Sequence, residues 1–273
     1  MTSARSFLKS ATDARVAQAV KANVIVLTSG LSGSSVLTGL LCRAGLWNGE
    51  STHKKPQYDT YENEELIALN AKLFKAAGYA GNYMMEFSEA ALERIRVLHG
   101  DIDLRPYREF VQKCEQHRPW IWKDPRLWLT IRFWKNILPL PACRFILLTR
   151  DATQTWISQT LRRQITTYRY SKNYEECIQR SALRFFQDNA APYLTVHYED
   201  LIVHPDETIT QLNAHLGTDL RVEDLKKVYR KPLHKSPRSS WVKHLQAVAI
   251  YLRNYSQRLD LARGGGSAAR YSG

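Results

Sequence analysis

The sequence predicts an α/β fold, three layers deep, in which a central parallel sheet of four or five strands is flanked by helices. Three observations carry that expectation. Four short apolar runs, bounded by turn residues, scarcely alternate with polar positions, as strands buried on both faces do; they lie at 23–29 (NVIVLTS), 119–122 (PWIW), 143–149 (CRFILLT) and 193–198 (YLTVHY). Between them, apolar residues recur at helical spacing, the pattern of strands joined by crossover helices. No internal repeat or low-complexity block breaks the pattern before Gly264. A single domain over 1–263 with a flexible tail at 264–273 is the expected organisation.

Each element has its own justification. The first run passes through GLSGSS into an amphipathic stretch at 34–44, a strand, turn and helix in succession. Helical spacing then continues at 62–77 (Leu66, Leu69, Leu73), 88–99, 105–117, 152–163, 174–189 and 205–216. Ser88 with Ala91 three residues on is an imperfect cap, whereas Pro205 followed by Asp206 and Glu207 is a good helix start. Trp128 and Trp134 fall on a helical pattern with Leu127, Ile131 and Leu138 and are expected in the core. With Trp120, Trp122 and Trp156 they are also the aromatic candidates for lining an apolar pocket.

Composition narrows the function. Hydrophobic residues make up 44% and charged residues 24%, which excludes disorder and coiled coil as the main state. No apolar run reaches the ~18 residues of a membrane helix, and the first twenty residues lack the apolar stretch of a secretory signal. A cytoplasmic protein without a membrane partner is therefore expected. Cys42, Cys114, Cys143 and Cys177 stand dozens of residues apart with no C-x-x-C pair, so reduced, mostly buried thiols are expected and neither a zinc site nor a redox motif. His99, His117, His204 and His215 offer no metal-ligand spacing. Net charge is 39 − 26 = +13, and residues 226–273 hold eleven cations against the single acid Asp260, so that segment carries +10 and the rest +3. So local an excess argues for an anionic partner or a solvated basic tail.

Two segments could bind such an anion. In NVIVLTS-GLSGSS a strand, a Gly and Ser turn and a helix start bring backbone N–H groups and the positive end of a helix dipole to one point, with hydroxyls from Ser32, Ser34 and Ser35. A serine-capped tight turn would read the same way. The nucleotide-triphosphatase loop is absent, since no Lys follows Gly33. In the second segment, the third run ends at Arg150, with Ser158 eight and Arg162 twelve residues on. On a helix 158 and 162 share a face, so two guanidinium groups and a hydroxyl can surround one phosphate.

These residues resemble a family. The S-G-S-S loop, the R-x7-S-x3-R spacing and the stretch YLTVHYEDLIVHPDETITQLNAHLG are similar to sulfotransferases that use 3′-phosphoadenosine 5′-phosphosulfate (PAPS), over about residues 23–217 with a looser match to 241. The resemblance implies a P-loop-NTPase-like sheet, PAPS as donor, and no metal. It implies that Leu31, Ser32, Gly33, Ser34 and Ser35 bind the 5′-phosphosulfate, that Arg150 and Ser158, with Arg162, bind the 3′-phosphate, and that Tyr198 contacts the adenine. Trp122-Lys123-Asp124-Pro125-Arg126 and Tyr58 to Asn63 are similar to the bacterial and tyrosylprotein branches. There the position of Lys123 sets a cation against the sulfate, and that of Glu62, at the start of a helix, supplies the general base. Glu50 and His53 are the other candidates for the base. The match departs at Leu31, where the family carries Lys or Arg; Lys123, Arg126 or Lys54 could supply the missing charge. The basic segment 226–263, with Arg230, Lys231 and 235–238, would close the nucleotide site.

The implied reaction is in-line sulfuryl transfer to a hydroxyl, an electrostatic relative of phosphoryl transfer. The expected acceptor is a soluble small alcohol or phenol, and no nucleic acid partner is expected. A nucleotide kinase would share the first strand, loop and helix but needs a loop Lys, which this chain lacks. A non-catalytic protein that binds anions or nucleic acid would explain the basic tail but not the R-x7-S spacing.

Overall fold

The computed structural model describes residues 22–56, 58–79, 83–229 and 241–259. The N-terminal 1–20, the cations Arg230, Lys231, Lys235 and Arg238, and the tail 264–273 lie outside the described residues. Strand β1 (Asn23–Leu27) runs through a turn into α1 (Ser34–Arg43). An antiparallel hairpin of β2 (Thr52–Lys55) and β3 (Tyr58–Asn63) precedes α2 (Glu64–Ala76), α3 (Glu89–Val97) and α4 (Arg105–Gln116). Then β4 (Ile121–Lys123) leads to α5 (Leu127–Trp134), and β5 (Cys143–Thr149) to α6 (Ala152–Leu161) and α7 (Tyr168–Asp188). Finally β6 (Tyr193–His197) is followed by α8 (Tyr198–Val203), α9 (Pro205–Leu216), α10 (Val222–Val228) and α11 (Trp241–Arg253).

The main sheet has the order β4-β1-β5-β6, with every pairing parallel. Side chains alternate between its faces. Val24 and Val26 of β1, Ile146 and Leu148 of β5 and Val196 of β6 pack with α1, α9 and α10 on one side. Ile25, Leu27, Trp122, Phe145 and Leu147 pack with α2, α3, α4, α5 and α7 on the other. Burial of both faces explains why β1 and β5 read as continuous apolar runs. Because all four strands are parallel, their carboxyl ends share one edge, which brings residues 28–33, 124–126, 150–151 and 198 together.

The sheet and most helices lie where the sequence places them, and the exceptions have physical causes. Residues 58–63, expected to open a helix from 62, form β3. Asn63 accepts hydrogen bonds from the N–H groups of Glu65 and Leu66 at 2.9 and 3.2 Å, so it is the N-cap and the helix cannot begin before Glu64. The run 119–122 becomes 121–123, since Pro119 has no N–H to give to a ladder. The run at 193–198, expected to be buried on both faces, is an edge strand with Tyr193 exposed, and Tyr198 leaves it to start α8. Ser88 caps α3 despite the imperfect signal, accepting from Ala91 N–H at 3.2 Å. Trp120, Trp122, Trp128 and Trp134 are sealed in the core rather than lining a pocket. Trp156 donates to the Thr166 carbonyl at 2.9 Å and packs with Ala247 of α11.

Candidate active site

The turn after β1 is built from left-handed backbone. Gly30, Leu31 and Gly33 have φ of 78°, 58° and 82°, so the chain coils tightly before α1 begins. Gly33 is obligatory for two reasons. A Cβ there would lie 2.2 Å from the Tyr198 ring, and positive φ is costly for residues with side chains. No side chain caps α1, which leaves its first amides to a ligand or to water. Ser32 is buried and its hydroxyl shares a hydrogen bond with Thr28; Ser34 is buried and Ser35 half-buried in the first turn of α1.

Arg150 meets this turn. The Nη1 amino group of its guanidinium donates to the Leu31 carbonyl at 2.8 Å and to the Ser158 hydroxyl at 2.9 Å. The group lies over the Tyr198 ring at 5.2 Å. Its Nε is 3.6 Å from Glu199 Oε1, an ion pair too long for a hydrogen bond, so a buried donor is left unsatisfied. Glu199 also accepts from the Asp151 backbone N–H at 3.1 Å, tying the start of α8 to the tip of β5. Burial pushes the Tyr198 hydroxyl up to about 12, so it stays protonated, and it interacts with the hydroxyl of Tyr229 just after α10. Arg162 is the exposed C-cap of α6, and no hydrogen bond or ion pair links it to Arg150 or Ser158.

On the opposite flank of β1, β4 ends in Lys123. Its side chain is 0% exposed and its ammonium is 2.6 Å from Glu62 Oε1 at the end of β3. Burial draws Lys123 below its ordinary value, while the Glu62 carboxylate opposes that shift. Glu62 is aimed by the hairpin: Asp59 accepts from Tyr61 N–H at 2.7 Å, and the Tyr61 ring sits against Gly39 of α1, where a Cβ would be 2.7 Å away. Asp124 is buried beside the pair and takes hydrogen bonds from Asn70 at 3.1 Å and from Arg126 Nη1 at 3.0 Å; burial raises its acid. Arg126 therefore has its own carboxylate, and it stacks on Tyr83 at 4.0 Å. The other candidates stand apart. Glu50 pairs with Lys113 at 3.2 Å on the surface, while His53 and Lys54 are exposed on β2.

The residues of both sequence segments thus gather at one sheet edge, with Arg162, Glu50, His53 and Lys54 outside the cluster. Sequence reasoning missed Glu199 and Glu175. The Ser29 hydroxyl donates to Glu175 of α7, 146 residues away, and nothing local in the sequence signals that contact. Among the described residues no three His, Cys, Asp or Glu side chains are gathered to hold a metal ion, and no helix is long and apolar enough to cross a membrane.

The profile of the sulfotransferase family matches residues 24–223. Among solved structures, the chain is similar to the sulfotransferase domain from the curacin biosynthetic pathway, at 15% identity over 79% of this chain and 80% of that one, with a TM-score of 0.49. It is also similar to the sulfotransferase domain of the Synechococcus PCC 7002 olefin synthase (18% identity, 85% and 93% covered, TM-score 0.48). The sulfotransferase STF9 of Mycobacterium avium shares 14% identity, with 92% and 80% covered and a TM-score of 0.43. No curated protein matches the sequence.

Proposed function

Since the chain belongs to the sulfotransferase family, we propose that it moves the sulfuryl group of PAPS to the hydroxyl of a small acceptor by in-line transfer. The observation that carries this reading is Arg150. It spans from the Leu31 carbonyl in the β1 turn to Ser158 on α6 and keeps a buried, unsatisfied Nε donor. A 3′-phosphate at Arg150 and Ser158 and a 5′-phosphosulfate at the turn of Ser32, Gly33, Ser34 and Ser35 would place one nucleotide across two neighbouring strand tips. In this reading the ring of Tyr198, fixed against Gly33, contacts the adenine.

The donor supplies the sulfuryl group and leaves as adenosine 3′,5′-bisphosphate. Glu62 accepts the proton of the acceptor hydroxyl. Lys123 places positive charge where the bridging oxygen becomes negative, in a site dry enough for that charge to count. The 2.6 Å contact serves both groups: Glu62 opposes the effect of burial on the ammonium, and Lys123 holds the carboxylate in place.

The test is a thermal-shift and calorimetric comparison of adenosine 3′,5′-bisphosphate, AMP and magnesium-ATP. The bisphosphate is expected to bind most tightly and raise Tm most. Equal binding of AMP would remove the 3′-phosphate pocket, and preference for magnesium-ATP would make the protein a kinase.

A further inference from the structure

The transfer chemistry leaves Glu175 without a task. This residue lies in the second turn of α7 and is 5% exposed. One carboxylate oxygen accepts the hydroxyl proton of Ser29, the residue that opens the β1 turn; the other is buried with no hydrogen-bond partner. Among the described residues no Lys, Arg or His forms an ion pair with it. The groups that face it are few. From the turn there is Ser29, from the tip of β5 the more distant charge of Arg150, and from its own helix the buried Tyr174, whose hydroxyl donates to the Tyr83 carbonyl at 2.8 Å.

A carboxylate buried without a counter-ion is strongly disfavoured, so such a group holds its proton well above the usual range. Burial raises Glu175 to about 7, with the Ser29 hydrogen bond and Arg150 pulling the other way. Its charge state therefore changes near neutrality, directly beneath the turn assigned to a polyanionic donor. At position 31 of that turn, where a cation would offset a negative charge below, the chain has Leu.

We propose that Glu175 is a proton-linked gate on the donor site, which holds the 5′ end of the nucleotide while Glu175 is protonated and repels it when Glu175 is ionised. The proposal rests on the sulfotransferase reading of the turn. Linkage is reciprocal, so a bound anion raises the affinity of Glu175 for its proton, and binding above neutral pH draws a proton from solution. With Glu175 titrating near 7, affinity at pH 8 falls roughly five- to tenfold below that at pH 6.

The experiment is calorimetric titration of the full chain with adenosine 3′,5′-bisphosphate from pH 6 to 8.5. At pH 8 it is repeated in buffers of different ionisation enthalpy, which counts the protons taken up. The ligand's own phosphates are fully ionised there and contribute little. The wild type is expected to lose affinity as pH rises and to take up a substantial fraction of one proton at pH 8. Glu175→Gln, which keeps an amide for Ser29, is expected to bind with a flat profile above pH 7, where the ligand's phosphates have finished titrating, and with no uptake at pH 8. The same pH profile in wild type and Glu175→Gln would overturn the gate while leaving the sulfotransferase reading intact. Should the variant not fold, absence of proton uptake by the wild type at pH 8 overturns the gate by itself. Failure of the bisphosphate to bind at any pH, with AMP or ATP binding instead, overturns both.

Discussion

Replacing Glu62 with glutamine removes the counter-ion of a lysine whose side chain is 0% exposed. Breaking a buried pair from one side typically costs ~3–5 kcal/mol, because the remaining charge is stranded. Glu62→Gln is expected to lose about that much stability at pH 6 to 7. Lys123→Met is expected to lose less, since Glu62 is 17% exposed and can recruit water. The double variant should recover much of the loss, giving a coupling of about 2 kcal/mol or more in a double-mutant cycle. Proton linkage adds a sign. Burial holds folded Lys123 below its unfolded value of 10.5, so between the two the unfolded chain binds more protons and stability rises with pH. Removing Glu62 takes away the attraction that opposes burial and extends this window downward, so the deficit of Glu62→Gln should shrink as pH is raised. Urea denaturation of the four proteins at several pH values reads both effects. Losses that simply add, with coupling below about 0.5 kcal/mol, would show that the two groups are not a pair. Turnover offers a separate readout, because the double variant should regain stability without regaining activity.

Arg150→Ala should weaken binding of adenosine 3′,5′-bisphosphate by about 10- to 100-fold, the loss of one charge-assisted contact of ~1.5–3 kcal/mol, while AMP binding stays the same. Equal losses for both ligands by calorimetry would place Arg150 elsewhere on the nucleotide. Burial pushes the thiols of Cys114 and Cys143, both 0% exposed, up to about 12, so neither should react with a thiol reagent at pH 8 before unfolding. Rapid release of a stoichiometric chromophore from either of the two would contradict their burial.

The sheet was legible because β1 and β5 are buried on both faces, and that environment writes itself as an apolar run. The gathering of these segments was legible for a related reason, since the turn and the R-x7-S spacing are local and the parallel topology alone brings the strand tips together. The hairpin carrying Glu62 was not. Its residues are polar and its fixing contacts are specific, Asp59 to the Tyr61 N–H and Tyr61 against Gly39. Glu62 was singled out by residue type even though the element around it was misjudged, and it lies 2.6 Å from Lys123. Arg162 shows the opposite error. Helical phase places it below Ser158, but α6 ends at Leu161 and the guanidinium turns to solvent. Glu175 and Glu199 reach the site from distant helices, and no spacing rule joins residues that only tertiary packing brings together.

Leu31 contributes to the site through its backbone carbonyl, which accepts from Arg150 at 2.8 Å and would do so with any side chain. The turn keeps its shape with Leu at φ 58°, so the geometry does not depend on a cation there, and what the side chain could add is charge alone. Leu31→Lys should therefore leave the fold unchanged and tighten binding of adenosine 3′,5′-bisphosphate by roughly 10- to 100-fold, the range of a hydrogen-bonded charge contact. The same lysine would lower the proton affinity of Glu175 and weaken the pH dependence of binding, whereas a gate acting independently of local charge would leave that dependence untouched. Calorimetry of Leu31→Lys from pH 6 to 8.5 decides the matter. Unchanged affinity would mean that Lys123 and Arg150 already neutralise the turn and that the lost cation has no electrostatic consequence.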